Sequence, residues 1–191
     1  EQQRAWTCLR TLEGHTSNVN DLVVHGDWLL ICGTGSPPIP DETVHVWDRT
    51  SWECLRVVQT GHTCGMVSLA VHDGKLYCGG YGVDPTIRVI DTTTWASVGV
   101  MQGHRNVVSQ LMVREGKLFS SCSGDMTIKC WSTAEGRACE QYLEGHTGCV
   151  WDLAVHGDWL LSSSADNTVR VWDWASWECL RVVQTGHTAG V

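Results

Sequence analysis

Apolar and polar positions alternate in short runs along this chain of 191 residues. VWDLAVH (150–156), DWLLSSS (158–164), TVRVWD (168–173) and ECLRVVQ (178–184) follow one another with Gly, Asp, Asn or Ser between them. Each run is short and either alternates with period two or is rich in β-branched residues, so each predicts a strand. No stretch of ten residues or more holds a helical period. The pattern therefore predicts an all-β chain of short antiparallel strands joined by turns.

The strand pattern recurs. A Gly-His pair stands at 14–15, 61–62, 103–104, 145–146 and 186–187, at spacings of 47, 42, 42 and 41. Asp-x-Thr follows each of the first four, beginning at Asp41, Asp84, Asp125 and Asp166. Six residues after each Asp come Trp47, Ile90, Trp131 and Trp172, and Trp47-Asp48 and Trp172-Asp173 read Trp-Asp outright. A period near 42 with four strands in it identifies a repeat architecture in which each unit buries its faces against its neighbours. The stretch SWECLRVVQTGHT occurs unchanged at 51–63 and at 176–188.

Composition narrows the partners. The net charge is −8 and no run of Lys or Arg occurs, which argues against direct binding of nucleic acid or of an anionic membrane surface. Ten cysteines are present without a C-x-x-C pair, so neither a zinc module nor any other cofactor is expected. Cys8, Cys54, Cys139 and Cys179 recur in register and read as small core-facing hydrophobes rather than disulfide partners. That reading points to a reducing, intracellular compartment, the cytoplasm first. No signal peptide or membrane-length apolar run is present, and the first residue is not Met, so a longer natural protein is expected.

The linked Gly-His, Asp-x-Thr and Trp-Asp markers, in that order and four times over, resemble the WD40 repeat of β-propellers. The resemblance implies a ring of four-stranded blades, strands a to d running outward from a central channel. The expected fold is a WD40-type propeller segment over 1–191, an arc of a larger ring. It has four complete antiparallel blades, at about 17–59, 64–102, 106–143 and 148–184. Partial strands flank them: an orphan d strand at 7–12 and the start of a fifth blade at 186–191. Two readings of the missing blades compete: a longer array, or two chains forming one eight-bladed ring. In a two-chain ring, 7–12 and 178–184 would compete for one outer edge and 186–191 would collide with the first a strand, which favours the longer array.

The resemblance also implies one hydrogen-bonded set per blade, made of the Gly-His histidine, a strand-b serine, the turn Asp and the strand-c Trp. Blade four supplies His146, Ser162, Asp166 and Trp172, and blade three His104, Ser121, Asp125 and Trp131. Blade one has His15, Asp41 and Trp47 with no matching serine. Blade two has His62 and Asp84, with Ile90 for Trp and Cys78 or Gly79 for Ser, so its set is expected to be incomplete. His, Ser and Asp together suggest hydrolysis, but a set that recurs in every unit reads as scaffold. GGYG (79–82) is followed by no helix and lacks the mechanism of a phosphate loop.

Blades one and four match at 14 of 18 positions between 13–30 and 144–161. Three of the differences, Ser17/Gly148, Asn18/Cys149 and Asn20/Trp151, fall at the start of strand a, which the resemblance places on the top rim, the face that binds partners. The expected rim set is Asn18, Asn20, Val67, Ser109 and Trp151, with Trp151 either the partner anchor or a residue packed on the next blade. Pro37 and Pro38 lie in the longer b–c connection of blade one, GTGSPPIPDET, either a contacting finger or length drift. Trp52, Trp95 and Trp177 recur at the c–d turn, as a second apolar rim or packed on adjacent strands. The expected function is a non-catalytic scaffold that binds a protein or peptide. The alternative is the substrate-recognition propeller of a multidomain ubiquitin ligase or kinase whose catalytic domain lies elsewhere.

Overall fold

A computed structural model describes residues 7–35, 41–134 and 137–186. Pro37, Pro38 and residues 187–191 of the expected fifth blade lie outside the described residues. Among the described residues, sixteen strands form four four-stranded antiparallel sheets, each in simple sequence order. Blade one is β1 (Asn18–His25), β2 (Trp28–Thr34), β3 (Thr43–Asp48) and β4 (Cys54–Gln59). Blade two is β5 (Met66–His72), β6 (Lys75–Gly80), β7 (Ile87–Asp91) and β8 (Ser97–Met101). Blade three is β9 (Val108–Arg114), β10 (Lys117–Cys122), β11 (Ile128–Ser132) and β12 (Cys139–Leu143). Blade four is β13 (Val150–His156), β14 (Trp159–Ser164), β15 (Thr168–Asp173) and β16 (Cys179–Gln184).

The first strands β1, β5, β9 and β13 stand next to one another in a row, the inner wall of an arc. The core lies between blades. Leu30, Val46 and Val58 of blade one meet Met66, Leu69 and Ile90 of blade two. Ile87 and Val89 of blade two meet Val108, Leu111 and Trp131 of blade three. Phe119 and Cys130 of blade three meet Val150, Leu153 and Leu160 of blade four. A single four-stranded sheet has two apolar faces and no interior, so each blade is stable only through its neighbours.

The Asp of the Trp-Asp pair has a local task. Asp48 Oδ1 accepts the Thr50 and Ser51 amides at 2.8 and 2.7 Å, and Asp91 and Asp173 repeat this at their own turns. These carboxylates cap the c–d turn and let it end on a left-handed Trp: φ is 60° at Trp52, 60° at Trp95 and 65° at Trp177. Trp95 then lies 5.3 Å from Trp28, and Trp177 lies 6.2 Å from Phe119, each of them a residue of the preceding blade. Both therefore pack on a neighbouring blade, while Trp52 has no such neighbour among the described residues and is 40% exposed.

Two expectations are corrected. Residues 7–12 form no strand, and Leu9 is 95% exposed. A d strand needs the c strand of its own blade, and that blade is not among the described residues. Three of the recurring cysteines are not core residues: Cys8 is exposed, and Cys54 and Cys179 lie exposed on the outermost strands, while Cys139 is half-buried against the core between blades two and three. The Cys54 and Cys179 Sγ atoms contact the carbonyls of Arg56 and Arg181, both at 3.6 Å. The glycines of GGYG serve close packing. A Cβ on Gly79 would press on Val108 of blade three, and one on Gly80 would strike the Asp84 carbonyl.

Candidate functional site

Blade four carries the full hydrogen-bonded set. His146 Nδ1 is 2.8 Å from Asp166 Oδ2, His146 Nε2 is 2.7 Å from Ser162 Oγ, and Trp172 Nε1 donates to the same Oγ at 2.9 Å. The protons are fixed by elimination: indole N–H gives to Oγ, Oγ–H gives to Nε2, and Nδ1–H gives to the carboxylate. Asp166 Oδ1 accepts the Thr168 amide and hydroxyl, and Oδ2 also takes the Thr147 amide at 3.0 Å. One carboxylate thus ties the d–a loop to the b–c turn.

Blade three repeats this with a correction. The serine is Ser120, not Ser121: His104 Nε2 and Trp131 Nε1 each lie 2.7 Å from Ser120 Oγ. Ser121 Oγ is buried without a partner. The b–c turn of blade three is one residue longer than that of blade four, so counting back from Asp125 slips by one and lands on the opposite face. Counting forward from the histidine gives sixteen residues in both blades.

Blades one and two lack the hydroxyl. The sixteenth residue after His15 is Ile31, and His15 Nε2 and Trp47 Nε1 are buried without partners. In blade two His62 Nε2 donates to the Cys78 carbonyl at 3.1 Å, since a carbonyl only accepts. Its Nδ1 then faces Asp84 at 3.3 Å without a hydrogen bond, and Ile90 fills the Trp position.

The electrostatics match a scaffold. Burial pushes His104 and His146 below the ordinary imidazole range, against the opposing pull of Asp125 and Asp166. Burial works against ionisation of Asp125 and Asp166, but their hydrogen bonds outweigh it and hold both well below the usual carboxylate range. Ser120 and Ser162 are fully or almost fully buried, and each already accepts an indole N–H. A nucleophile needs an open face, and these two hydroxyls are closed in.

His15, Asp41 and His45 bring one ligand atom each within 4.8 Å of one another. Asp41 spends Oδ1 on Thr43 and Oδ2 on His15 at 2.6 Å. The two imidazoles stack at 3.9 Å, which sends their in-plane lone pairs into separate planes rather than toward one ion. His45 occupies the position where the other blades carry Arg88, Lys129 and Arg170.

The rim residues share one backbone feature. The register of strand a shifts at Asn20, Val67, Ser109 and Trp151, so each is the unpaired residue of a β-bulge. A bulge turns its side chain away from the pleat, and the four bulges give these residues equivalent backbone positions in their blades. Their surroundings differ. Trp151 is 46% exposed, Asn18 is exposed, and Val67 and Ser109 are half-buried. Asn20 Nδ2 donates to Thr34 Oγ1 at 3.1 Å and to the Met66 carbonyl at 2.8 Å, stapling blade one to blade two.

Sequence reasoning missed a relay just behind the bulges. Asp21 Oδ2 accepts the Leu69 amide at 2.7 Å and the Ser68 hydroxyl at 3.1 Å. Ser68 Oγ accepts the Leu111 amide at 2.9 Å and lies 3.1 Å from Gln110 Oε1. The signal was available, because Asp21, Ser68, Gln110 and Asp152 all stand six residues after a Gly-His histidine.

The repeat markers have counterparts among known proteins. A family model described as WD domain, G-beta repeat matches residues 6–48, 95–132 and 137–173. The chain belongs to the WD40-repeat family. The unmatched stretch contains most of blade two, the blade with Ile90 and without a strand-b serine. Nuclear distribution protein PAC1 of Arthroderma benhamiae is 27% identical over 85% of this chain and 37% of its own length. The guanine nucleotide-binding protein subunit beta of Arabidopsis thaliana is 27% identical over 94% of this chain and 50% of its own. The WD40 chain described here thus spans half or less of these relatives. Among solved structures, the computationally designed Ika8 protein, a propeller, aligns with a TM-score of 0.79 at 28% identity. That alignment covers 94% of this chain and 52% of the designed one.

Proposed function

We propose that this WD40 chain is a non-catalytic scaffold that binds a protein or peptide on the rim formed by the d–a loops and the strand-a bulges. The observation that carries the reading is Trp151: a large aromatic side chain, 46% exposed, on a bulge whose equivalent in the near-identical blade one is Asn20. Interface hot spots are enriched in Trp, and here the framework is held while the exposed group changes. Family membership supports the coarser reading, since its relatives include proteins named as subunits of larger assemblies. No Arg stands in the rim set, which argues against a phosphopeptide pocket in these blades. Direct contact with nucleic acid or membrane is not part of the proposal, and neither is a cofactor. Placement in a reducing intracellular compartment is.

The test is affinity capture with the wild-type chain and with Trp151→Ala, followed by titration of the captured protein. The proposal expects the variant to bind about 2 kcal/mol more weakly at unchanged melting temperature. Equal loss of stability and binding would make Trp151 a packing residue and defeat the rim reading. The second reading, a recognition propeller serving an enzymatic domain outside this chain, is distinguished by a ubiquitin-ligase or kinase module in the full-length gene.

A further inference from the structure

The a–b and c–d turns lie at the end of each blade opposite the d–a loops. Two of the three joints inside the arc are closed at that end. Between blades one and two, Trp28 and Trp95 lie 5.3 Å apart. Thr92, the residue after Asp91, is buried there, and its amide donates to the Gly74 carbonyl at 2.9 Å. Between blades two and three, Lys75 Nζ is held by Asp91 at 2.8 Å, and Arg137 reaches back to the Val98 carbonyl at 3.0 Å.

The joint between blades three and four is built differently. The first residue of the c–d turn after Asp48, Asp91, Ser132 and Asp173 is Arg49, Thr92, Thr133 and Trp174 in turn. The side chains of Arg49 and Thr133 donate to carbonyls of their own a–b turns, those of Gly26 and Gly116. Trp174 turns to blade three instead. Its ring lies 6.2 Å from Phe119, and its indole N–H makes no hydrogen bond among the described residues. With Ala175, Asp158, Glu115 and Lys117 it lines an open cleft of about 270 Å³. The next nine residues, SWECLRVVQ, are identical in blades one and four. The change from Arg49-Thr50 to Trp174-Ala175 is therefore confined to the wall of this cleft.

The charges around the cleft select its occupant. Arg114 already lays its guanidinium over the Trp174 ring, with Cζ 5.8 Å from the centroid, so the ring receives a cation from within the chain. Both basic groups nearby have a carboxylate: Arg114 Nε is 3.5 Å from Glu115 Oε1, and Lys117 Nζ pairs with Glu140. Asp158 is exposed and its carboxylate has no partner among the described residues. An anion in the cleft would meet Asp158 and Glu115, and a purely apolar group would take both from water without compensation. We propose that this cleft is a second docking site, which takes a lysine or arginine side chain of a protein partner. The aliphatic stem lies on Trp174 and the charged end sits between Asp158 and Glu115. The site is separate from the rim at Trp151, which stands at the opposite end of blade four.

Proton–nitrogen correlation spectra of the 191-residue chain test this, with acetyl-Gly-Arg-Gly-amide and acetyl-Gly-Lys-Gly-amide as probes. Trp174→Phe identifies the Trp174 indole signal among those of the eleven tryptophans. Both cationic probes should shift that signal saturably in the millimolar range and leave the Trp151 indole in place. The same peptides with Glu or Leu at the centre should not. Asp158→Asn changes an exposed side chain; it should weaken binding about threefold at unchanged melting temperature. Glu115→Gln should weaken it less, because Arg114 offsets part of that charge. The proposal is overturned by the lack of a saturable shift, by an equal response to the Glu or Leu peptide, or by an affinity that Asp158→Asn leaves unchanged. A shift at Trp151 alone would support the rim and reject the cleft.

Discussion

Blades one and four are the most alike in sequence, and they differ most in what their residues experience. Leu29-Leu30 and Leu160-Leu161 are the same dipeptide at the same place in strand b. In blade one Leu30 is buried and Leu29 half-buried; in blade four Leu160 is buried and Leu161 half-buried. The inversion follows from position in the arc. Leu30 faces blade two and Leu160 faces blade three, while Leu29 and Leu161 face the two open ends. Identical strands behave likewise: Val58 of β4 is 4% exposed and Val183 of β16 is 40% exposed. Burial here is a property of the joint between repeats.

The hydrogen-bonded sets differ for a chemical reason. Ser162 satisfies two buried nitrogens, and Ile31 leaves the equivalent two without partners. The largest expected effect therefore comes from removing the hydroxyl where it exists. Ser162→Ala should cost about 3 kcal/mol by urea denaturation, because His146 Nε2 and Trp172 Nε1 are both orphaned. A loss below about 1 kcal/mol would mean that the set does not hold blade four.

The rim supplies the next contrast. Trp151→Ala should weaken partner binding by about 2 kcal/mol and leave stability alone. At the same bulge in blade one, Asn20→Ala should lower stability by about 1 kcal/mol through its lost bond to the Met66 carbonyl. Matching effects at the two sites would dissolve the distinction between an exposed anchor and a staple.

Acid should act through the buried histidines. His104 and His146 have folded pKa values below 6.5, so the unfolded chain binds more protons as pH falls through that value. Stability should then drop by about 1.4 kcal/mol per pH unit for each histidine, from pH 6.5 down to its folded pKa. The depressed Asp125 and Asp166 add a loss of the same sign below pH 3.8. Equilibrium denaturation at pH 7 and pH 5 checks this, and His146→Gln should remove its share of the slope.

The smallest effect is expected from the reciprocal change. Ile31→Ser should give His15 and Trp47 their missing partner while losing buried apolar area, and the two nearly cancel, to within about 1 kcal/mol. A loss as large as that of Ser162→Ala would show that blade one has adapted to Ile31.

Much of the fold was legible because each repeat writes its own turns. The Asp-x-Thr and Trp-Asp carboxylates bond amides two and three residues away, so local sequence suffices to place them. The candidate site was legible less evenly. Ser121 was read for Ser120 because register depends on turn length, and one extra residue between strands b and c reverses the face. The d-strand cysteines were read as core because recurrence marks an equivalent position without saying whether that position is covered.

By itself, the sequence determined that each blade has four strands, their order in the blade and the groups that close each turn, since these rest on contacts within a few residues. The tertiary structure alone decided which of two identical leucines is buried, which bulged residues are exposed, and on which side chains of the preceding blade Trp95 and Trp177 rest. Those depend on the neighbouring blade, some 40 residues away in sequence, and blades one and four carry the same residues at opposite ends of the arc.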